Sequence, residues 1–309
     1  MERHYLTSDD GHRIHLCQWK VKNPGTLRAI IHINHGMAEH GERYAPIAAM
    51  LNRAGIDVIA HDHRGHGGSV GANEATGYFA ERHGWKRVLS DVDRVQDFVA
   101  QNYPDLPVFV HGQSMGSFIA QSYCSHYNRS LSGVILTGST YNPPLALVPP
   151  KLIARLEKAR SGPKARSTLI HFLSFQRFNR TFKNTKTEHD WLTRSTEEIE
   201  RYENDPWCGF LCTNQLWIDL LNALQTLGKK RTIGKIDSKL PFYLISGERD
   251  PISYDPKQHR ITALRNHLVS GGIARVDYKL YPDARHEILN ELNRDDVIND
   301  MIRWIENKL

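Results

Sequence analysis

An α/β fold is predicted for this 309-residue chain, with a mostly parallel sheet, helices on both faces and a helical insertion. Three observations predict it. Short β-branched apolar runs alternate with helix-length segments from residue 29 to 137. The alternation stops over 144–237, where charged helical segments replace it, and resumes at Phe242. A pentapeptide, Gly112-Gln113-Ser114-Met115-Gly116, joins a short apolar run to a helix-like segment. Near-continuous apolar strands separated by helices belong to parallel sheets covered on both sides.

Each element has its own signal. Tyr5 to Trp19 holds two extended runs around Ser8-Asp9-Asp10-Gly11, and Asp-Gly suggests a hairpin. Ala29-Ile30-Ile31-His32-Ile33 reads as a buried strand ending at His35-Gly36, and a helix is expected over Pro46–Ala54. Val58-Ile59-Ala60 is the next buried strand. Trp85, Val88, Leu89, Val92, Val95, Phe98 and Val99 repeat at helical spacing, so 84–102 is an amphipathic helix. Val108-Phe109-Val110 and Val134-Ile135-Leu136 are strands on either side of a helix that ends near His126. Phe242 to Ile245 and Val276 to Tyr281 are strands flanking a helix around Ile261 to Val269. Val297, Ile298, Met301, Ile302 and Ile305 give the last helix one apolar face. The expected organisation is a core of 1–143 and 238–309 with a helical insertion at 144–237.

Composition narrows the class. Hydrophobic residues are 40% and charged residues 24%, which suits a globular protein. No apolar stretch spans a bilayer, and the polar start Met1-Glu2-Arg3-His4-Tyr5 is unlike a secretory signal. The expected location is cytoplasmic, with peripheral membrane contact allowed, unless a signal has been removed. Four cysteines do not make a disulfide framework at this length. Cys208 and Cys212 would share a face if helical, and they are read as reduced, buried thiols. The histidines of Asp62-His63-Arg64-Gly65-His66-Gly67 are read as loop polar residues. No metal or organic cofactor is expected. The net charge of +6 comes without a nucleic-acid motif, so no nucleic-acid partner is expected.

The chemistry centres on Ser114. Gly-x-Ser-x-Gly at a strand-to-helix turn is a nucleophile elbow, where a positive φ at serine demands small residues two before and two after. A serine hydroxyl needs a base, and the base needs a third group that fixes its tautomer. In this fold the partners follow in the order acid, then histidine, each after a later strand. Asp250 in Gly247-Glu248-Arg249-Asp250-Pro251 follows the strand at 242–246, with Glu248 as a neighbouring competitor. His286 in Pro282-Asp283-Ala284-Arg285-His286-Glu287 follows the last strand. His111 is too near Ser114 in sequence to serve it. Oxyanion donors are expected from the backbone N–H of Met115 and of Met37, where Gly36 lets the loop approach closely. A serine at the elbow argues against epoxide hydrolase or dehalogenase chemistry, which places aspartate there.

Five motifs in order give the chain a resemblance to a known family. His35-Gly36-Met37-Ala38-Glu39-His40-Gly41-Glu42-Arg43-Tyr44 resembles the oxyanion loop of the monoacylglycerol lipase and lysophospholipase family of α/β hydrolases. Asp62 to Ser69, the elbow, Gly247 to Pro251 and His286-Glu287 resemble its other motifs. The resemblance implies an α/β-hydrolase fold, a Ser114, Asp250, His286 triad, an oxyanion hole from the Met37 and Met115 amides, and a helical cap over the site. Asp190 to Arg194 and Asn204 to Phe210 are similar to that cap, whereas 144–187 is not. The activity implied is a serine carboxylic-ester hydrolase for single-acyl-chain lipids, monoacylglycerol or lysophospholipid. Thioesterase, short-chain esterase and acyltransferase chemistry on the same scaffold, or a non-catalytic binding protein, are the competing readings.

Residues 151–187 carry ten Lys or Arg against one acid, Glu157, a net of +9. Leu169, Ile170, Phe172, Leu173, Phe175, Phe178 and Phe182 interleave with them. Such mixing suits an anionic lipid surface or a lysophospholipid phosphate, and equally a solvated helical face. Oligomeric state has no signal in the sequence.

Overall fold

The computed structural model describes residues 1–72, 74–255 and 259–309. The N-terminal runs form an antiparallel hairpin, β1 (Glu2–Thr7) and β2 (Arg13–Trp19). Then follow β3 (Ala29–Asn34), β4 (Ile56–His61), β5 (Val108–Gln113), β6 (Gly133–Thr137), β7 (Phe242–Gly247) and β8 (Val276–Tyr281). They make one eight-stranded sheet in the order β1-β2-β4-β3-β5-β6-β7-β8, with β3 to β8 parallel and β2 antiparallel to β4. Every residue of β3, β4, β6 and β7 is buried, which explains why those strands read as unbroken apolar runs.

Successive side chains of a strand point to opposite faces, so each strand feeds two cores. On one face, Val110, Val134, Leu136 and Leu244 pack with α2 (Gly84–Asn102), α3 (Met115–His126) and the later helix at 260–270. On the other, Phe109, Ile135, Tyr243 and Ile245 pack with α1 (Ala45–Arg53) and the final helix at 294–306. Trp304 closes this side, its ring stacked on Tyr243 at 5.5 Å.

Between β6 and β7 lie α4 (Val148–Ser161), α5 (Thr168–His171), a π-helical turn at 172–176, α6 (Arg177–Asn179), α7 (Thr196–Asn204), α8 (Asn214–Leu227) and α9 (Lys230–Ile233). After β7 come α10 (Arg260–Ser270), β8 and α11 (Arg294–Glu306). The inserted helices pack on each other through Leu147, Ala154, Ile170, Ile218 and Leu221. No helix of the described residues is long and apolar enough to cross a membrane.

Two expectations are corrected. Cys208 and Cys212 do not share a helix face: they lie in the irregular link from α7 to α8, Cys208 half-buried and Cys212 buried, both free thiols. His63 and His66 lie in the loop after β4, as expected, but they do not face solvent. They are buried with His32, His35 and His61 at the carboxyl ends of β3 and β4. Their rings pack on one another, His35 on His63 at 4.3 Å and His61 on His63 at 4.6 Å. Burial pushes His32 down to about 3 and His66 down to about 4, so this cluster is neutral and acts as packing.

Candidate active site

The parallel strands β3, β5, β6, β7 and β8 are neighbours, so the loops at their carboxyl ends meet along one edge, where open α/β sheets form sites. Ser114 stands between β5 and α3 at φ 50° and ψ −115°, outside the regions that L residues favour. A Cβ on Gly112 would lie 2.4 Å from the Gly116 carbonyl oxygen, and one on Gly116 would lie 2.0 Å from that of Asn34. Neither position tolerates a side chain, and the second contact seats the elbow on the end of β3.

The loop after β3 runs along the elbow. A Cβ on Gly36 would be 3.4 Å from Ser114 Cβ. The Gly36 N–H donates to Glu39 Oε1 at 2.5 Å, and Ala38 adopts φ 53°, so the backbone around Met37 is sharply turned. Met115 is the first residue of α3, where backbone N–H groups have no intrahelical acceptor. Met37, Ser114 and Met115 border one cavity.

Asp250 and His286 come together across the ends of β7 and β8. Asp250 Oδ1 is 3.0 Å from His286 Nδ1 and also accepts the Ile252 N–H at 3.0 Å. Both side chains are buried, whereas Glu248 is exposed. With Nδ1–H directed at Asp250, Nε2 is the nitrogen left to accept a proton. Burial alone would depress the His286 pKa. The carboxylates of Asp250, Glu287 and Glu39 outweigh it and hold the imidazole above its ordinary value. His286 and Ser114 border the same narrow cavity. Gly138 leaves room for the ring, since a Cβ there would be 2.7 Å from His286 Cε1. Trp191 covers the ring at 4.9 Å.

Sequence reasoning gave no role to the buried ion network that ties these loops. Arg43 donates to both Glu287 oxygens at 2.9 and 2.8 Å and to Glu39 Oε2 at 2.5 Å. Its guanidinium lies 4.8 Å from the Tyr202 ring. Arg43 thereby couples the loop after β3 to the loop carrying His286. Burial raises the pKa of Glu39; burial also works against Glu287, but Arg43 overcomes it and holds that carboxyl low. The Glu39–Arg43 spacing of four was the one available signal, and it is common on any helix.

The segment between β6 and β7 docks on the same loops. Leu192 O accepts the Glu287 N–H at 2.7 Å, and Ala38 O accepts Gly209 N–H at 3.0 Å and Tyr202 Oη–H at 3.1 Å. Two cavities adjoin Ser114. A narrow one of about 40 Å³ is bordered by Gln113, Glu188, His189, His286 and Glu287 together with Phe175, Trp191, Leu192 and Phe210. A wide one of about 470 Å³ is bordered by Phe118, Phe175, Phe178, Trp217, Leu220, Leu224 and Ile252, with Arg177, Arg249 and Arg260.

Known proteins resemble the chain over nearly its whole length. The model of Hydrolase_4, described as serine aminopeptidase, S33, matches residues 25–293. The monoglyceride lipase of Mus musculus is 27% identical over 311 residues, covering 99% of this chain and 90% of that protein. The monoacylglycerol lipase of Mycolicibacterium smegmatis is 28% identical, covering 91% and 89%. Among solved structures, a thermostable carboxyl esterase from Bacillus coagulans in complex with glycerol superposes with a TM-score of 0.88 at 25% identity, covering 99% of this chain and 98% of that one.

Proposed function

Because this chain belongs to the Hydrolase_4 family, we propose that it is a serine carboxylic-ester hydrolase acting on single-acyl-chain lipids through an acyl-enzyme. Ser114 Oγ attacks the ester carbonyl while His286 Nε2 takes its proton. Asp250 holds Nδ1–H and steadies the imidazolium that forms. The N–H groups of Met37 and Met115 receive the oxyanion. His286 then protonates the leaving alcohol, and water activated by the same imidazole releases the fatty acid. The observation that carries this reading is the 3.0 Å His286–Asp250 contact, in a loop that shares a cavity with a serine at positive φ.

The two cavities divide the substrate. The wide apolar one suits an acyl chain, each buried methylene contributing about 0.8 kcal/mol. The narrow one, beside His286, has Gln113, Glu188 and His189 on its wall among apolar residues and suits the leaving alcohol. The helices between β6 and β7 serve as the cap, and the substrates we favour are monoacylglycerol and lysophospholipid. An aminopeptidase would need a carboxylate free to pair with the substrate's ammonium. Glu39 and Glu287 of the narrow cavity are bound to Arg43, which leaves Glu188 as its one carboxylate without an arginine or lysine partner among the described residues.

The cap also suits peripheral contact with an anionic membrane. Val148, Leu152 and Leu156 are spaced four apart on the outer face of α4 and are 48%, 56% and 60% exposed. Lys151 and Arg155 lie among them.

The deciding experiment is hydrolysis of p-nitrophenyl esters by Ser114→Ala. A fall in kcat of about 10⁴ or more is expected, with folding unchanged. Activity near wild type would reject the assignment.

A further inference from the structure

The two cavities that meet at Ser114 differ in their ionisable side chains. Glu39, Glu188 and Glu287 border the narrow one. Among the described residues bordering the wide one there is no carboxylate, and three are arginines. They come from separate parts of the fold: Arg177 from α6, Arg249 from the turn after β7, Arg260 from the first turn of α10. Arg177 and Arg249 are exposed and Arg260 is half-exposed, so the three mark the solvent mouth. Arg260 has Asp255 at 3.8 Å. Among the described residues, neither Arg177 nor Arg249 has a carboxylate within ion-pair distance, and the Arg249 guanidinium sits 5.7 Å from the Tyr254 ring.

General basicity of the cap does not explain this gathering. Of the ten Lys and Arg in 151–187, only Arg177 borders the cavity. Others are turned elsewhere: Lys151 to Gln225, Lys158 to Gln215, Arg160 to Glu157, Arg166 to Thr76. Arg249 and Arg260 reach the mouth from the core. Three guanidinium groups border one opening, and each can hold an anion there through forked hydrogen bonds. From this mouth to Ser114 the lining is mainly apolar, including Phe118, Trp217, Leu220 and Ile252.

We propose that the mouth is an anion subsite. It selects single-chain esters whose acyl part ends in a carboxylate or similar anionic group, held by Arg177, Arg249 and Arg260 while the ester carbonyl rests at Ser114. The assignment rests on the hydrolase reading above, with the acyl chain in the wide cavity.

The test compares p-nitrophenyl esters of neutral fatty acids, octanoyl to hexadecanoyl, with their ω-carboxy counterparts, dissolved as monomers. At the best-fitting length, the carboxylate ester should have kcat/KM about tenfold above its neutral match. The ratio should fall as salt is raised. It should approach one in the double variant R177Q/R249Q, and recover in part in R177K/R249K, which keeps charge without the fork. A ratio at or below one in wild type at every length, or one unchanged by the double Gln variant, overturns the proposal. So does an arginine dependence confined to neutral esters presented on anionic vesicles, which would assign these residues to the lipid surface. Hydrolysis of neutral esters that depends on Ser114 but shows no preference sinks the subsite alone. No hydrolysis of either ester sinks the hydrolase reading with it.

Discussion

Ser114 holds a backbone conformation that costs a non-glycine residue about 1–3 kcal/mol. The contacts of Gly112 and Gly116 fix that turn. His286 is tuned by what lies behind it. Asp250 and Glu287 both favour its cation, and as a base the ring must first lose that proton. The acid limb of kcat/KM should therefore lie above the ordinary imidazole value of about 6.5. Glu287→Gln removes one of the favouring charges, so its limb should shift to lower pH. The same substitution takes a charged partner from buried Arg43, and should cost about 1–3 kcal/mol in thermal unfolding. A pH–rate profile beside a melting curve checks both. A limb that stays in place would mean that Glu287 does not act on the imidazole, even if the protein melts earlier.

At the scale of elements, α4 has an inner face that packs on α8 through Ala154, and an outer face with nothing on it among the described residues. Burying a leucine contributes about 1.5–3 kcal/mol, and each nearby basic residue adds attraction to anionic lipid. Wild type should sediment with phosphatidylglycerol vesicles at low ionic strength and bind phosphatidylcholine vesicles weakly. Leu152→Glu with Leu156→Glu should weaken the binding at least about tenfold. Equal binding by the double variant, or equal binding to both lipids, would contradict the docking reading. The elbow is a local unit of β5, a turn and α3, which is why its pattern could be read from nineteen consecutive residues, 108 to 126.

Across the whole molecule, what was legible in the sequence was what depends on short-range pattern. The buried strands β3, β4, β5, β6 and β7 announced themselves as apolar runs because both sheet faces are covered. The parallel sheet and the order of Ser114, Asp250 and His286 followed from alternation and strand ends. Spacing alone did not separate Asp250 from Glu248, two residues apart in one turn, and the resemblance favoured Asp250; Asp250 is the one whose carboxylate meets the imidazole. The Glu39–Arg43–Glu287 network was hidden because it joins residues 244 positions apart, and charged residues usually signal solvent. The burial of His63 and His66 was hidden for the same reason. Arg249 and Arg260 lay outside the basic stretch that drew attention, and meet Arg177 only through the fold.

The claim on which the rest stands is that these distant groups activate one hydroxyl. Intact-protein and peptide mass spectrometry after treatment with a fluorophosphonate measures it directly. One adduct per chain is expected, on the peptide bearing Ser114, with labelling lost in His286→Ala despite a native fold. An adduct elsewhere, or Ser114 labelled as fast without the imidazole as with it, would contradict the account.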